Sequence, residues 1–586
     1  MRAETVNDYL ERAGRHPEGG LRLLDRNERA RWAGWAEVRE RALAVCGGLQ
    51  ALGVRRGERV ALVFPTGLDF FTAFFGILLA GAVPVPLYPP VRLGRLSEYL
   101  RRTARMVGAV RARLVLADPR VKRLLGTAVA AAPAEKGCRT LAELPRERGA
   151  VVRPEAGDLA LVQFSSGTTV APKAVALSHR ALVAQTEILN GFWHDSAALR
   201  HSCVSWLPLY HDMGLIGCVL PALSRDASLT LLPPELFVAR PALWLRAISR
   251  YRATISPAPN FGYGLCVTRV ADSEMEGVDL SGWRTALNGA EPVAPVVLRA
   301  FIERFRHSGL DPSALTPVYG LSEAALAVTF SPLGRPFRSL RFDREALARE
   351  GLARPRLEGR EVVSVGRPVP GFRLRVLDAA GAELPEGKVG RVWVRGPSLM
   401  EGYLGDPEAT ARVMRGGWLD TGDLGFMYQE ELYLTGRAKD VIILRGRNHS
   451  PEEIERAVDG VPGARTGCSV AVSWLPEEAG GEVLALFVER ARQATAREIE
   501  ALPEACRGAV LGATGLALDR VEVLEPGTLP RTSSGKLRRA EALRLFLGGE
   551  LAPPAPVTAL RMAGAMARSS LAYARLKWAN REGGSG

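Results

Sequence analysis

The stretch from Ser165 to Lys173 gathers hydroxyls, a glycine and an ammonium in one short run: Ser165, Ser166, Gly167, Thr168, Thr169 and Lys173. These are the groups that hold a phosphate. Backbone amides approach closely at small residues, hydroxyls donate hydrogen bonds, and Lys173 adds charge. The run follows a strand-like segment, LALVQF (159–164), and leads to Ser178, placed to cap a following helix. It is not a Walker loop, because the second glycine and the GK[ST] ending are absent. A Ser/Thr-rich turn after a strand also has a purely structural reading, and the stretch alone does not choose between the two.

The rest of the chain does. Downstream stand SWLPLYHDMGLIG (205–217), NGAEP (288–292), VYGLSEAAL (318–326), GWLDTGDLG (417–425), LTGRAKDVIILRGRNHSPEEIE (434–455) and LPRTSSGKLRR (529–539). In this order they resemble the core motifs of the adenylate-forming superfamily of acyl-CoA synthetases, luciferases and peptide-synthetase adenylation domains, over about residues 20–545. Within it, YHDMGLIG, APNFGYGLC (258–266), NGAEPV and GRNHSPEEIE resemble the fatty acyl-AMP ligase branch, and PTGLDFFTAFFGILLAGAVPVPLYPP (65–90) is similar to that branch's amino-terminal signature. The chain departs from the usual pattern at Val170 and Ala174, where most superfamily members have glycine.

The resemblance implies that a carboxylate, a poor electrophile, attacks the α-phosphorus of ATP and becomes acyl-AMP as pyrophosphate leaves. Such a reaction is catalysed by positioning and charge neutralisation. By resemblance Glu323 holds Mg²⁺, Ser322 contacts the α-phosphate with Gly320 beside it, and Tyr319 stacks on adenine next to Gly289, Ala290 and Glu291. Asp423 accepts from two ribose hydroxyls and Arg437 reaches the same sugar. Lys536, in a glycine-containing turn, is the mobile catalytic cation. Lys439 occupies the hinge position. His211 lines the carboxylate site, while Asp212 stays open, since an aspartate near this place binds the substrate amine in amino-acid-activating relatives. Singly, Asp423 reads equally as a turn cap, Glu323 as a solvated helix acid and Lys536 as a surface lysine; the ordered set favours function.

The elements that must position these residues follow from hydrophobic patterning. Short apolar runs, VALVF (60–64), LVLA (114–117) and LALVQF, alternate with helical stretches such as 96–112, which predicts an α/β fold. Closely spaced β-type segments from about Val362 predict a β-rich subdomain, and 438–550, with helix-like PEEIERAV and AREIEALPEAC around strand-like EVLALFV, predicts a small mobile α+β domain. The expected organisation is a large layered α/β domain over 1–437 with a family-type insertion at about 331–361, the small domain over 438–550, and a Pro-rich linker and tail over 551–586. The tail places Arg561, Arg568 and Arg575 seven apart beside Leu560, Leu571 and Trp578, a pattern for a helix docked on protein, lying on a membrane surface, or simply solvated; GGSG at the end reads as disordered. Phe71, Phe74, Phe75 and Trp206 read as core before they read as an acyl tunnel.

Composition sets the outer limits. No apolar run reaches the roughly 20 residues of a membrane span, and the first residues lack the apolar core of a secretory signal, so a cytoplasmic protein is expected. Seven cysteines, widely spaced and never in CxxC, exclude a disulfide framework or zinc knuckle. The net charge of +14 comes without a basic block or nucleic-acid motif, and no nucleic-acid partner is expected. No carrier domain is visible, so the expected acceptor is the phosphopantetheine thiol of a separate acyl carrier protein in lipid or polyketide biosynthesis. Rival readings are an acyl-CoA synthetase, an amino-acid adenylation domain and a catalytically silent nucleotide-binding protein.

Overall fold

The computed structural model describes all residues except 1, 2, 16, 17, 91, 92, 166–172, 195, 197, 198, 445, 446, 475–481, 533, 534 and 583–586. The expected disorder of the terminal GGSG and four of the phosphate-loop residues, Ser166, Gly167, Thr168 and Thr169, thus lie outside the described residues. The amino-terminal signature includes the helix Leu68–Leu79, which is buried at every position except the exposed Asp69 in its first turn. Phe71, Phe74 and Phe75 are at most 1% exposed, as core residues should be. Gly76 lets the neighbouring helix Trp35–Ala51 approach so closely that an added Cβ would meet Val45 at 2.6 Å.

The centre of the α/β portion is a nine-stranded sheet. Four adjacent parallel strands within it, Leu315–Gly320, Thr285–Asn288, Ile255–Ala258 and Cys203–Ser205, each end where a motif begins. The YGLSE, NGAEP, APNFGYG and LPLYHD segments therefore leave the sheet at its carboxyl edge, the place where open α/β sheets bind ligands. A second, four-stranded parallel sheet includes the expected strands at Arg59–Val63 and Leu114–Ala117. The β-rich part is a five-stranded sheet dominated by the long hairpin Trp418–Tyr428 with Glu431–Arg437, turned at Gln429 and Glu430, both at positive φ. Its register sets Asp423 opposite Arg437.

The segment expected as an insertion, about 331–361, is itself folded. Ser339–Phe342 pairs with Arg360–Val363, and Phe342 packs edge-on against Phe426 and Tyr433 of the β-rich sheet. The carboxyl-terminal portion builds a three-stranded sheet, Ala464–Trp474, Val483–Arg490 and Arg520–Leu524, with the helices Pro451–Ala457, Ala496–Thr514 and Arg539–Leu547. All seven cysteines are unbonded. Among the described residues no helix is long and apolar enough to cross a membrane.

The solvated reading of the tail does not hold on one face. The linker returns to the large domain, where Arg95 donates to the carbonyls of Thr528 (2.7 Å) and Ala552 (3.2 Å), and the helix Ala559–Glu582 then lies on the helix Pro119–Ala131. The Gly126 amide donates to Ser569 Oγ at 2.7 Å, and Tyr573 donates to the Lys122 carbonyl at 3.2 Å. A Cβ at Gly126 would stand 2.1 Å from the Ser569 carbonyl oxygen, so only glycine permits this crossing. Gly126→Val is expected to lever the tail off and open the 551–558 linker to limited proteolysis; a cleavage pattern identical to wild type contradicts the docking.

Candidate active site

The hairpin register holds Asp423 at the junction of two chain segments. Its carboxylate accepts from Tyr319 Oη at 2.6 Å and pairs with Arg437 Nε at 3.2 Å, while only 7% of the residue is exposed. Burial and the neighbouring Asp423 charge push the Tyr319 phenol well above its ordinary range, so it stays a donor. Asp423 raises the Arg437 pKa, which keeps the pair fully ionised. Around Tyr319 the backbone is shaped to leave room. A Cβ at Gly320 would meet the Leu326 carbonyl at 1.9 Å, one at Gly289 would meet that of Val318 at 2.8 Å, and Ala290 sits at φ 67°, a conformation side chains seldom adopt.

Glu323 stands at the other side of the same turn. Its carboxylate accepts from Tyr403 Oη at 2.8 Å, and the Lys173 ammonium lies 4.3 Å over the Tyr403 ring. Ser165 donates its amide to the Lys173 carbonyl at 2.9 Å, which closes the base of the phosphate loop. Tyr403 thus links the acid expected to hold a cation with the lysine expected to hold phosphate. The sequence reading missed it; the signal available was a lone Gly-Tyr pair, which has no distinguishing spacing. Ser322 Oγ donates to Asp212 Oδ2 at 2.5 Å, so Asp212 orients this serine.

Lys536 arrives from the carboxyl-terminal domain. Its loop is closed at the base by Thr532, whose amide donates to the Lys536 carbonyl at 2.8 Å and whose hydroxyl accepts from the Lys536 amide at 3.1 Å. Burial lowers the lysine's pKa and Arg437 lowers it further, while Asp212, Glu291 and Asp423 act in the opposite sense. Glu291, which accepts from the Phe261 amide at 2.5 Å, is raised by its own burial. His211 is buried and held at about 4, because desolvation penalises its cation and Lys536 repels it. Lys439 lies between Arg437 and Asp440 in the chain; partial desolvation and the Arg437 charge lower its pKa. Next to it, Arg539 binds Glu455 through both oxygens at 2.7 Å, Glu452 at 3.0 Å and Asp440 at 3.3 Å.

A family profile described as AMP-binding enzyme matches residues 10–404. This chain belongs to that family. A provisionally named acyl-CoA synthetase of Caulobacter vibrioides is 37% identical over 91% of this chain and 93% of its own length. A long-chain-fatty-acid–AMP ligase of Mycobacterium marinum is 34% identical over 89% of this chain and 93% of its own, and a 4-hydroxyphenylalkanoate adenylyltransferase of the same organism is also 34% identical, over 87% and 85%. Among solved structures, one from a study of fatty acyl-adenylate ligases of E. coli and L. pneumophila aligns with a TM-score of 0.86 at 34% identity, over 93% of this chain and 98% of that one. The two-domain α/β fold is therefore that of adenylate-forming enzymes, which take their AMP from ATP.

The buried histidines give this family member an acid-sensitive fold. His211 and His179 are both held at about 4 by burial. An unfolded histidine titrates near 6.5, so between roughly pH 6.5 and 4 the unfolded chain binds protons that the folded chain refuses, and stability falls as pH drops through that window. At pH 5 the loss from one such group is about 2 kcal/mol. His211→Gln is expected to narrow the gap between urea unfolding at pH 7.5 and pH 5 by about that amount; an unchanged gap contradicts a neutral buried imidazole.

Proposed function

We propose that this enzyme activates a fatty acid as acyl-AMP, with release of pyrophosphate, and passes the acyl group to the phosphopantetheine thiol of a separate acyl carrier protein. The observation that carries the reading is the meeting of Lys536 with Asp423, Arg437, Glu291 and Asp212 on one site. In this reading the acid's carboxylate oxygen bonds to the α-phosphorus of ATP, and the bond from that phosphorus to the bridging oxygen of pyrophosphate breaks. Lys536 neutralises the charge that grows on the α-phosphate and the incoming carboxylate, a contribution made in the transition state more than in the ground state. Asp423, fixed by Tyr319 and Arg437, takes the ribose hydroxyls; Tyr319 with Gly289 and Ala290 makes the adenine slot; Ser322, aimed by Asp212, and the 165–173 loop take phosphate. Neutral His211 faces the carboxylate without adding a competing cation.

The residues fit the expected metal. Among the described residues no group of three potential ligands exists, and Glu323 is a single hard carboxylate beside the phosphate loop, the arrangement that suits Mg²⁺ held partly by substrate phosphates. Magnesium bound there would neutralise phosphate charge. Tyr403 orients Glu323 for it.

Domain boundaries near Arg437 and Glu550, with rotation about Lys439, belong to the same proposal, as does a cytoplasmic location. The insertion's Arg344 and Arg360 both pair with Glu453 of the small domain, and the partly buried Arg360 also donates to the Thr435 carbonyl at 3.0 Å. Contacts of this kind oppose the rotation that would assemble a CoA site and so favour a carrier-bound thiol over free CoA. The name of the Caulobacter relative favours a second reading, with CoA as acceptor. An amine-bearing substrate is disfavoured because Asp212 is engaged by Ser322.

Two outcomes test this. Lys536→Ala is expected to slow single-turnover acyl-AMP formation by on the order of 10² while sparing ATP binding; unchanged turnover removes the lysine from the mechanism. With fatty acid, ATP and CoA, little acyl-CoA is expected by mass spectrometry, against rapid loading of a phosphopantetheinylated carrier protein. Acyl-CoA synthesis as fast as adenylation moves the chain to the second reading.

A further inference from the structure

Arginine is spread along the sequence, but the excess of positive charge is not spread through the fold. Residues 93–131 and 551–582 together hold 14 basic residues against three acidic ones, an excess that accounts for most of the chain's net charge of +14. These two stretches contain three helices that pack side by side: Leu96–Ala109 on Pro119–Ala131, and Pro119–Ala131 under the tail helix Ala559–Glu582. Arg101, Arg105, Arg120 and Arg123 are exposed on the first two.

The tail helix has a second apolar face that its docking leaves bare. Leu560, Leu571 and Trp578 are 84%, 61% and 67% exposed. At 3.6 residues per turn they fall within about 20° of one line and run for about 27 Å, opposite the docked Ser569. Exposed Arg561, Arg568 and Arg575 form a parallel row roughly 80° round the same helix, whose single acidic residue is Glu582 at its end.

We propose that this face docks on an anionic lipid bilayer. A bare apolar row ending in tryptophan enters the headgroup boundary, the arginine row beside it meets phosphate, and the basic helices behind extend the attraction. An extended apolar row is a contact surface of some kind, and its charge decides the kind. A predominantly positive field across three helices complements a plane of like negative charges better than it complements a protein surface of mixed sign. The assignment stands apart from the acyl-AMP reading, since attachment requires neither ATP nor an acyl acceptor.

Co-sedimentation of the full chain with vesicles of phosphatidylcholine, alone or in equimolar mixture with phosphatidylglycerol, tests it. Binding is expected only to the mixture and is expected to weaken as salt rises. Combining Arg561→Ala, Arg568→Ala and Arg575→Ala, or Leu571→Ser with Trp578→Ser, should weaken it at least about tenfold, with adenylation of a short, freely soluble fatty acid unchanged as proof of an intact fold. Absence of wild-type binding, equal binding to neutral vesicles, or wild-type affinity in both variants overturns the proposal. So does a result in which the arginines are needed only for acyl transfer to an acidic carrier protein in vesicle-free buffer, which makes the face a protein dock.

Discussion

Burying one cation beside another is the constraint around which this enzyme is built. The Lys536 ammonium shares its site with the Arg437 guanidinium, and burial and that neighbouring charge both lower the lysine's pKa. Three carboxylates, Asp212, Glu291 and Asp423, offset that cost. They come from separate places: the turn after Cys203–Ser205, the turn after Thr285–Asn288, and the long hairpin of the β-rich sheet. Only the parallel arrangement of the central strands brings the first two to a common edge, and only the Asp423–Arg437 register brings the third. A site that places Lys536 beside Arg437 is prepared to stabilise the charge that a phosphate brings.

Because Lys536 lies on the small domain, the site exists only when that domain is in place. Arg539, three residues after the lysine, is held by Asp440, Glu452 and Glu455 and ties the lysine's segment to the start of the carboxyl-terminal portion. Arg95 of the large domain bonds the Thr528 carbonyl, the insertion reaches Glu453, and the tail helix returns to Pro119–Ala131. Four contacts of different chemistry thus act on one arrangement, and each must break or follow if the small domain turns.

The residues that touch substrate in this account were legible because adenylation needs particular groups in a fixed chain order, and six ordered motifs carry that order. The α/β alternation was legible for the same reason that Leu68–Leu79 is buried: apolar periodicity reports burial directly. What stayed hidden depends on contacts between distant segments. Tyr403 gains its place by pairing its short strand with Ala174–Ser178, and Asp212 gains its partner from Ser322, 110 residues away. The concentration of charge on three helices was hidden for the same reason, since its two basic stretches, 93–131 and 551–582, lie far apart in the chain and meet only in the fold. The docking of the tail rests on the absence of a Cβ at Gly126, and one glycine in a helical stretch carries no such message.

The central claim, that these residues join a fatty acid to AMP with no acceptor present, is tested most directly by fatty-acid-dependent exchange of labelled pyrophosphate into ATP. Exchange in wild-type enzyme without any thiol, greatest for fatty acids within a panel that also contains 4-hydroxyphenylalkanoates and amino acids, is the predicted result. A protein that binds ATP yet exchanges no label with any acid, or exchanges only with amino acids, contradicts it.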